Sequence, residues 1–308
     1  MENKLHVSFS PHIHSSNSTM RTMLDVIIAL VPASVAAVVL FGIPALLVIA
    51  VCVASAVIGE ALFNLAIKKE QTIGDLSAVV TGLILALNLP ANIPLWQAAV
   101  GSLFAIIIVK GIFGGLGKNI VNPAIAARVF MLITFGSMTA AVFPKGLDAT
   151  SGATPLAELA QDKTLNLMDL FLGKCGGALG ETCALALLIG GVYLIVRKVI
   201  TWHIPVAFIG TTFLFTLALE GGNFETALAW VLSGGLMIGA FFMATDYVTS
   251  PSTVKGKLIF GIGAGVITVL IRFFGGYPEG VSFAILLMNI VNPYIDSLTP
   301  RKLFGGKK

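Results

Sequence analysis

Ten apolar runs divide the chain, at 24–41, 43–67, 76–89, 95–113, 124–142, 177–196, 203–219, 225–244, 257–274 and 281–299. A helix needs about 20 apolar residues to cross the hydrocarbon core of a bilayer, and most of the runs are close to that length. They predict an all-α polytopic membrane protein of ten transmembrane helices. Charge agrees with this. Only 11% of the 308 residues are charged and the mean hydropathy is +0.95, whereas a soluble domain carries about 25% charged residues. A soluble α/β protein is excluded. The net charge of +4 forms no stripe or arm, so a nucleic-acid partner is not expected.

Three of the runs are irregular. The run 76–89 is short and ends at LNLP, 124–142 carries Arg128, and 281–299 is interrupted by Asn292-Pro293. Broken helices are tolerated in a membrane where protein or a water-filled cavity satisfies the freed backbone groups. They point to a lined interior.

Orientation follows from the loop cations, because cytoplasmic loops are enriched in Lys and Arg. With the N-terminus inside, the inner segments hold fourteen Lys and Arg, Lys110 among them, and the outer segments hold four, Arg272 among them. Arg128 falls within a span. The count supports both termini in the cytoplasm and puts the long loop, 143–176, outside. No cleavable signal sequence is visible before the first run. Cys52, Cys175 and Cys183 have neither metal nor disulfide spacing and are expected as free thiols.

The segment NIVNP occurs twice, at 119–123 and 289–293. Ten spans split into two five-helix halves, 1–142 and 177–308, and odd-numbered halves give inverted repeats of the kind common in transporters. The first NIVNP sits at the entrance of a span and the second midway along one, so the count supports the repeat better than the motif does. Asn-Pro starts or kinks a helix. Beyond that, Asn119, Asn122, Asn289 and Asn292 can present amides to a polar molecule between the helices. The preceding GIFGGLGK has no strand before it and lacks dinucleotide spacing, so it receives no phosphate-loop role.

The external loop contains DATSGATPLAEL, from Asp148 to Leu159. Thr154 before Pro155, with Glu158 in the first turn, reads as a helix N-cap. The same threonine can also accept a modification. A hydroxyl needs a base or a second enzyme to react, and this loop holds no histidine, so self-catalysed chemistry is not expected. Small neighbours give a transferring enzyme access, and Asp148 offers an anchor.

The motif Asp148-Ala149-Thr150-Ser151-Gly152-Ala153-Thr154 resembles the flavinylation site of the membrane subunits of Rnf and sodium-pumping quinone reductase complexes. Nearly the whole chain shares the likeness, through SPHIHSSNSTMRTMLDVIIALVP, GDLSAVVTGLILALNLP, GGLGKNIVNPA, SGATPL, ATDYVTSPST and YPEGVSFAILLMNIVNP. The D-type branch of Rnf is favoured over the longer B-type quinone reductase subunit, whose extended N-terminal region is missing here. The resemblance implies FMN joined to Thr154 by a phosphoester. A separate flavin transferase would attach it outside the cytoplasm, with Asp148, Ser151, Gly152 and Ala153 completing the motif. It also implies an electron relay between reduced ferredoxin and NAD+, coupled to outward movement of Na+ or H+ across a bacterial or archaeal cell membrane. Iron–sulfur and flavin subunits would be partners, since this chain has no cysteine cluster or nucleotide motif of its own. Some members also carry riboflavin, for which Asn119 and Asn122 are candidate walls.

Ionisable groups inside spans are costly and usually functional. Glu60, Asp246 and Arg128 are the ion-path candidates, because their neighbours are small or apolar. Asp25, Asp75 and Glu181 stand at span ends, where interfacial solvation explains them. The competing class is a stand-alone channel or transporter of inverted halves, in which the external loop is only a capped linker.

Overall fold

The computed structural model describes residues 18–139, 142–144, 153–161, 163, 165–275 and 279–300. Every regular element among the described residues is helical. The helices α1 (Thr19–Phe41) and α2 (Ile43–Ala66) are long. Their joint is a single residue, Gly42, at φ 77° with Pro44 just after it. Only glycine adopts that backbone freely, and proline is preset for a first helical turn. The chain continues through α3 (Ser77–Leu87), then α4 (Leu95–Leu103), which passes into a π-helical stretch, Phe104–Gly111. Asn122 opens α5 (Pro123–Thr134), its side-chain oxygen accepting from the N–H groups of Ala124 and Ile125.

Two short helices follow, α6 (Pro155–Leu159) and α7 (Leu167–Leu172). The remainder comprises α8 (Ala184–Val196), α9 (His203–Leu219), α10 (Phe224–Leu232), α11 (Leu236–Ile238) with a π-helical continuation over Gly239–Met243, α12 (Val254–Phe274) and α13 (Val281–Leu298). Four helices, α1, α2, α12 and α13, are long and apolar enough to cross a membrane, and α10 with α11 makes a fifth such unit, bent by 67°. The apolar helices α3, α4 with its π-helical stretch, α5, α8 and α9 are shorter.

Several runs therefore form less helix than their hydropathy suggests. The run 124–142 yields an α-helix only to Thr134, after which Phe135 is extended and Gly136–Thr139 form a short 3-10 turn. The run 177–196 becomes helical only from Ala184. The run 225–244 breaks at Ser233–Gly235, where Gly234 takes φ 68°. Hydropathy reports burial in an apolar phase and says nothing about where the backbone bends, so these limits are not visible in it.

Much of the surface is apolar, and many polar groups face inward. Val39, Ile43, Leu65, Val196, Phe274 and Leu298 are exposed, while Glu60, Lys110, Arg128, Asn122 and Arg272 are buried. Lys110 and Arg272, loop cations by sequence, are both inside the fold. This removes one cation from each side of the loop count and leaves the asymmetry standing. Close packing relies on glycine where helices meet. A Cβ at Gly190 of α8 would lie 2.1 Å from the Ala29 carbonyl oxygen of α1, and one at Gly82 of α3 would lie 2.9 Å from the Cys52 carbonyl of α2. Small residues at such crossings let backbones approach in membrane proteins.

Candidate functional sites

Two cavities lie at opposite ends of α3. One is lined by the start of α3 at Ser77, the start of α5 at Pro123, the end of α8 at Leu194, Phe242 of the π-helical stretch, and Thr245 and Asp246 just beyond it. The other is lined by Asn88 after α3, Leu132 near the end of α5, the break at Ser233–Gly234, and Thr154. Successive helices thus run between two ends, with the loop bearing Thr154 at one and both Asn-Pro motifs toward the other.

The Thr154 cavity measures about 210 Å³. Thr154 caps α6, its hydroxyl accepting from Ala157 N–H at 3.4 Å, a long and therefore weak bond. Ala153 lies beside this helix, lining a neighbouring hollow with Lys174. Asp148, Ser151 and Gly152 lie outside the described residues. The cavity wall is largely apolar, through Leu132, Met138, Leu156, Leu232 and Phe283, with Asn88, Glu181, Ser233 and Glu279 as its polar members.

Arg128 organises those polar members. It is 1% exposed. One terminal nitrogen donates to the Asn88 side-chain oxygen. The other donates to Glu181 at 2.6 Å and to Glu279. Removing one partner of such a buried pair typically costs about 3–5 kcal/mol. The intramembrane arginine expected as an ion-path residue therefore sits between two carboxylates. Arg272 does a different job. It donates to the carbonyls of Trp230 at 2.6 Å and Ser233 at 3.0 Å, holding the freed C-terminal end of α10, and to the Glu279 carbonyl at 3.3 Å. Sequence reading missed Glu279, Asn88 and Arg272, which lie far from Arg128 along the chain. Next to them, burial pushes the Cys175 thiol up to about 12, with Glu181 adding to the rise.

The Asn-Pro cavity measures about 100 Å³, with Asn119, Asn122 and Asp246 in its wall. Asn122 caps α5 with its oxygen and donates its amide nitrogen to Met243 O at 3.3 Å. Asn119 donates to Val121 O at 3.0 Å. In the orientation that satisfies its neighbours, the Asn289 amide accepts from Asn122 N–H and donates to Thr249 O. The side-chain nitrogens of Asn119 and Asn122 and the amide of Asn289 are thus spent on the chain's own backbone. Only Asn292 keeps a buried oxygen without a partner. Asp246 accepts from Val248 N–H at 3.3 Å and from the Thr249 hydroxyl at 3.2 Å.

Glu60 stands apart from Asp246, in a separate hollow of about 150 Å³ with Asn64, Thr72 and the glycine-rich turn at Gly114–Gly115. Its Oε1 accepts from Lys110 at 2.7 Å and from the Thr72 hydroxyl at 2.8 Å. Asp75 accepts from Ser77 next to this pair, at 2.5 Å. Asp25 ties α1 to α8, accepting from the Tyr193 hydroxyl at 3.0 Å and from Arg197 at 3.2 Å.

An apolar exterior, inward-turned ion pairs and short or broken helices around cavities define a polytopic helical membrane protein. The chain belongs to the NQR2, RnfD, RnfE family, whose pattern matches residues 6–305. It is 48% identical to the D subunit of the Na(+)-translocating ferredoxin:NAD(+) oxidoreductase complex of Acetobacterium woodii, over 100% of this chain and 97% of that one. It is 43% identical to the D subunit of the proton-translocating ferredoxin:NAD(+) oxidoreductase complex of Clostridium ljungdahlii, over 98% and 96%. It is also 37% identical to the D subunit of the ion-translocating oxidoreductase complex of Escherichia coli, over 98% and 99%.

Proposed function

We propose that this chain is the D-type membrane subunit of an Rnf-type ion-translocating ferredoxin:NAD+ oxidoreductase complex, and that it carries one covalent FMN on Thr154. The full-length likeness to D subunits supports the assignment to that complex and its partner subunits. It also weighs against the stand-alone transporter and against a B-type quinone reductase subunit. The ten apolar helices are read as ten crossings in two inverted five-helix halves. Both termini then lie in the cytoplasm and the Thr154 loop on the outer face. The cation count and the alternation of helices between the two cavities support this.

One observation carries the flavin reading. The Thr154 hydroxyl, held by a weak cap bond, opens onto the larger of the two cavities flanking α3. The residues there suit a flavin. The walls are apolar enough for a flat ring, and the buried Ser233 hydroxyl in them has no partner. Bound there, the flavin supplies one-electron chemistry, and the protein contributes position and electrostatics. Leu132, Leu156, Leu232 and Phe283 exclude water. Arg128 and Arg272 together match the two charges of Glu181 and Glu279, so the floor of the cavity carries no net negative charge to repel an anionic guest. Arg272 fixes the break at Ser233, which forms part of one wall.

A second, non-covalent flavin against Asn119 and Asn122 would require those amides to leave the backbone groups they bind. The reading therefore assigns one flavin to this chain. Glu60 and Asp246, each beside its own cavity, remain the acidic groups proposed for the ion path.

The test is covalent flavin content. The chain is expressed with a flavin transferase and run on a denaturing gel. A fluorescent wild-type band that disappears in Thr154→Ala is expected. A dark wild-type band, with the transferase active on a control substrate, would return Thr154 to a plain helix cap. Flavin extracted after acid treatment should amount to much less than one per chain, and a full equivalent would restore the second flavin.

A further inference from the structure

We propose that Lys110 is a tethered cation that occupies a monovalent-cation site at Glu60 and is displaced when the mobile ion binds. The proposal rests on the ion-path reading of Glu60 and extends it to a residue outside that reading.

The geometry is specific. Lys110 lies at the end of the π-helical stretch Phe104–Gly111, a backbone form that recurs at functional positions. Its ammonium donates to Glu60 Oε1 at 2.7 Å and to Ser77 Oγ at 2.5 Å. Ser77 in turn donates to Asp75, and Asn64 donates to Thr72, whose hydroxyl donates to Glu60. Glu60 is 5% exposed, yet its second carboxylate oxygen is buried with no hydrogen-bond partner. A buried carboxylate oxygen left unpaired is an expensive arrangement. Beside it are the Thr72 hydroxyl and the Asn64 side chain, around a hollow of about 150 Å³. Hard monovalent cations take oxygen ligands of this kind.

Lys110 is placed to yield that site. It lines both the Glu60 hollow and the Asn-Pro cavity, whose wall contains Asp246. A lysine ammonium is a compact charge on a flexible four-carbon stem. Swung toward the Asn-Pro cavity, it leaves Glu60 to an incoming cation and moves toward a second carboxylate. Every buried charge then keeps an opposite partner. The other cation at this hollow, Lys69, donates to the Gly114 carbonyl at 2.8 Å, so it is engaged with backbone and does not neutralise Glu60.

Competition makes the idea testable, because a ligand that binds only the folded form stabilises it in proportion to its occupancy. The purified complex is melted over a NaCl series, with choline chloride holding ionic strength constant. Wild type should gain stability with Na+. Lys110→Met should reach half of that gain at a Na+ concentration at least tenfold lower, and Glu60→Gln should show no gain. A Lys110→Met midpoint equal to that of wild type overturns the proposal, as does a full Na+ response in Glu60→Gln.

A second measurement needs no variant. Reductive methylation of Lys110 in the wild-type complex, followed by mass spectrometry, should rise several-fold with Na+ and not with choline. Labelling indifferent to Na+ overturns the tether. If Glu60→Gln abolishes ion transport while Lys110 labelling ignores Na+, the ion-path reading stands and only the tether falls.

Discussion

The backbone N–H of Asn122 lies 3.1 Å from the side-chain oxygen of Asn289. The two copies of NIVNP, some 170 residues apart in the chain, therefore touch. The second asparagine of the first copy meets the first asparagine of the second, at the entrance of α5 and within α13. Repetition in the sequence here marks a shared junction beside the Asn-Pro cavity. Asn122 holds the free N–H groups at the start of α5, and Asn289 bridges the Asn122 N–H and the Thr249 carbonyl.

The Arg128 network should be a stability centre. Arg128→Met removes the cation that bridges the Glu181 and Glu279 carboxylates and is expected to destabilise by about 3–5 kcal/mol. Arg128→Lys keeps the charge, but a single ammonium cannot reproduce the two-pronged reach to Asn88 and both carboxylates, so partial loss is expected. Thermal unfolding of the detergent-solubilised protein, followed by tryptophan fluorescence, checks both.

Thr154 caps α6 and is the proposed flavin acceptor, two roles that substitution can separate. Asparagine is as good an N-cap as threonine or better, but it has no hydroxyl for a phosphoester. Thr154→Asn should lose covalent flavin while the loop keeps its wild-type resistance to limited proteolysis. Thr154→Ala should lose flavin and also weaken the cap, by about 0.5–2 kcal/mol, with faster cleavage near α6. Equal proteolysis of the two variants would show that the cap contributes nothing.

Two glycines, one at the α1–α8 contact and one on an open face of α9, should respond oppositely to alanine. Gly190→Ala places a methyl group against the Ala29 carbonyl and should destabilise by about 1–3 kcal/mol through overpacking. At Gly210 of α9 a Cβ meets nothing within 4 Å. Gly210→Ala should be neutral or stabilising by up to about 1 kcal/mol, from helix propensity. Comparing the two melting temperatures against wild type decides the matter.

Cys175 should be a slow nucleophile. Its pKa is raised to about 12 by burial and by Glu181, so the protonated thiol dominates throughout the neutral range. Since the thiolate is the reactive form, only about one thiol in ten thousand is reactive at pH 8. Iodoacetamide labelling of the Cys175 peptide should climb roughly tenfold per pH unit between pH 7 and 9, and denaturant should bring it to the rate of an ordinary cysteine. Fast labelling of the folded protein at pH 7 would contradict the burial.

Long apolar runs such as those of α1, α2 and α12 declare themselves, because hydropathy alone decides where they lie. Asn122-Pro123 and Thr154-Pro155 are legible as helix starts for an equally local reason, the cap bond and the preset φ of proline. The break at Ser233–Gly235 is hidden because Arg272, from another helix, holds its carbonyls. Lys110 reads as a loop residue because glycines follow it in sequence, while its partners Glu60 and Ser77 come from two other elements. Charges compensated across space leave no mark on a linear pattern, and they make up most of the candidate ion path.

The short third helix has an electrical consequence. Between Ser77, on one cavity, and Leu87, which precedes Asn88 on the other, α3 has only 11 residues, about 16 Å at 1.5 Å per residue. The hydrocarbon layer is about 30 Å thick. In the proposed ten-crossing arrangement, with water in both cavities, the transmembrane voltage would fall mainly across that thin septum, and the field there would be about twice that in the surrounding lipid. A cation carried from one cavity to the other in that arrangement would cross only half the bilayer in distance, yet nearly the whole of the potential, worth about 2.3 kcal/mol per elementary charge at 100 mV.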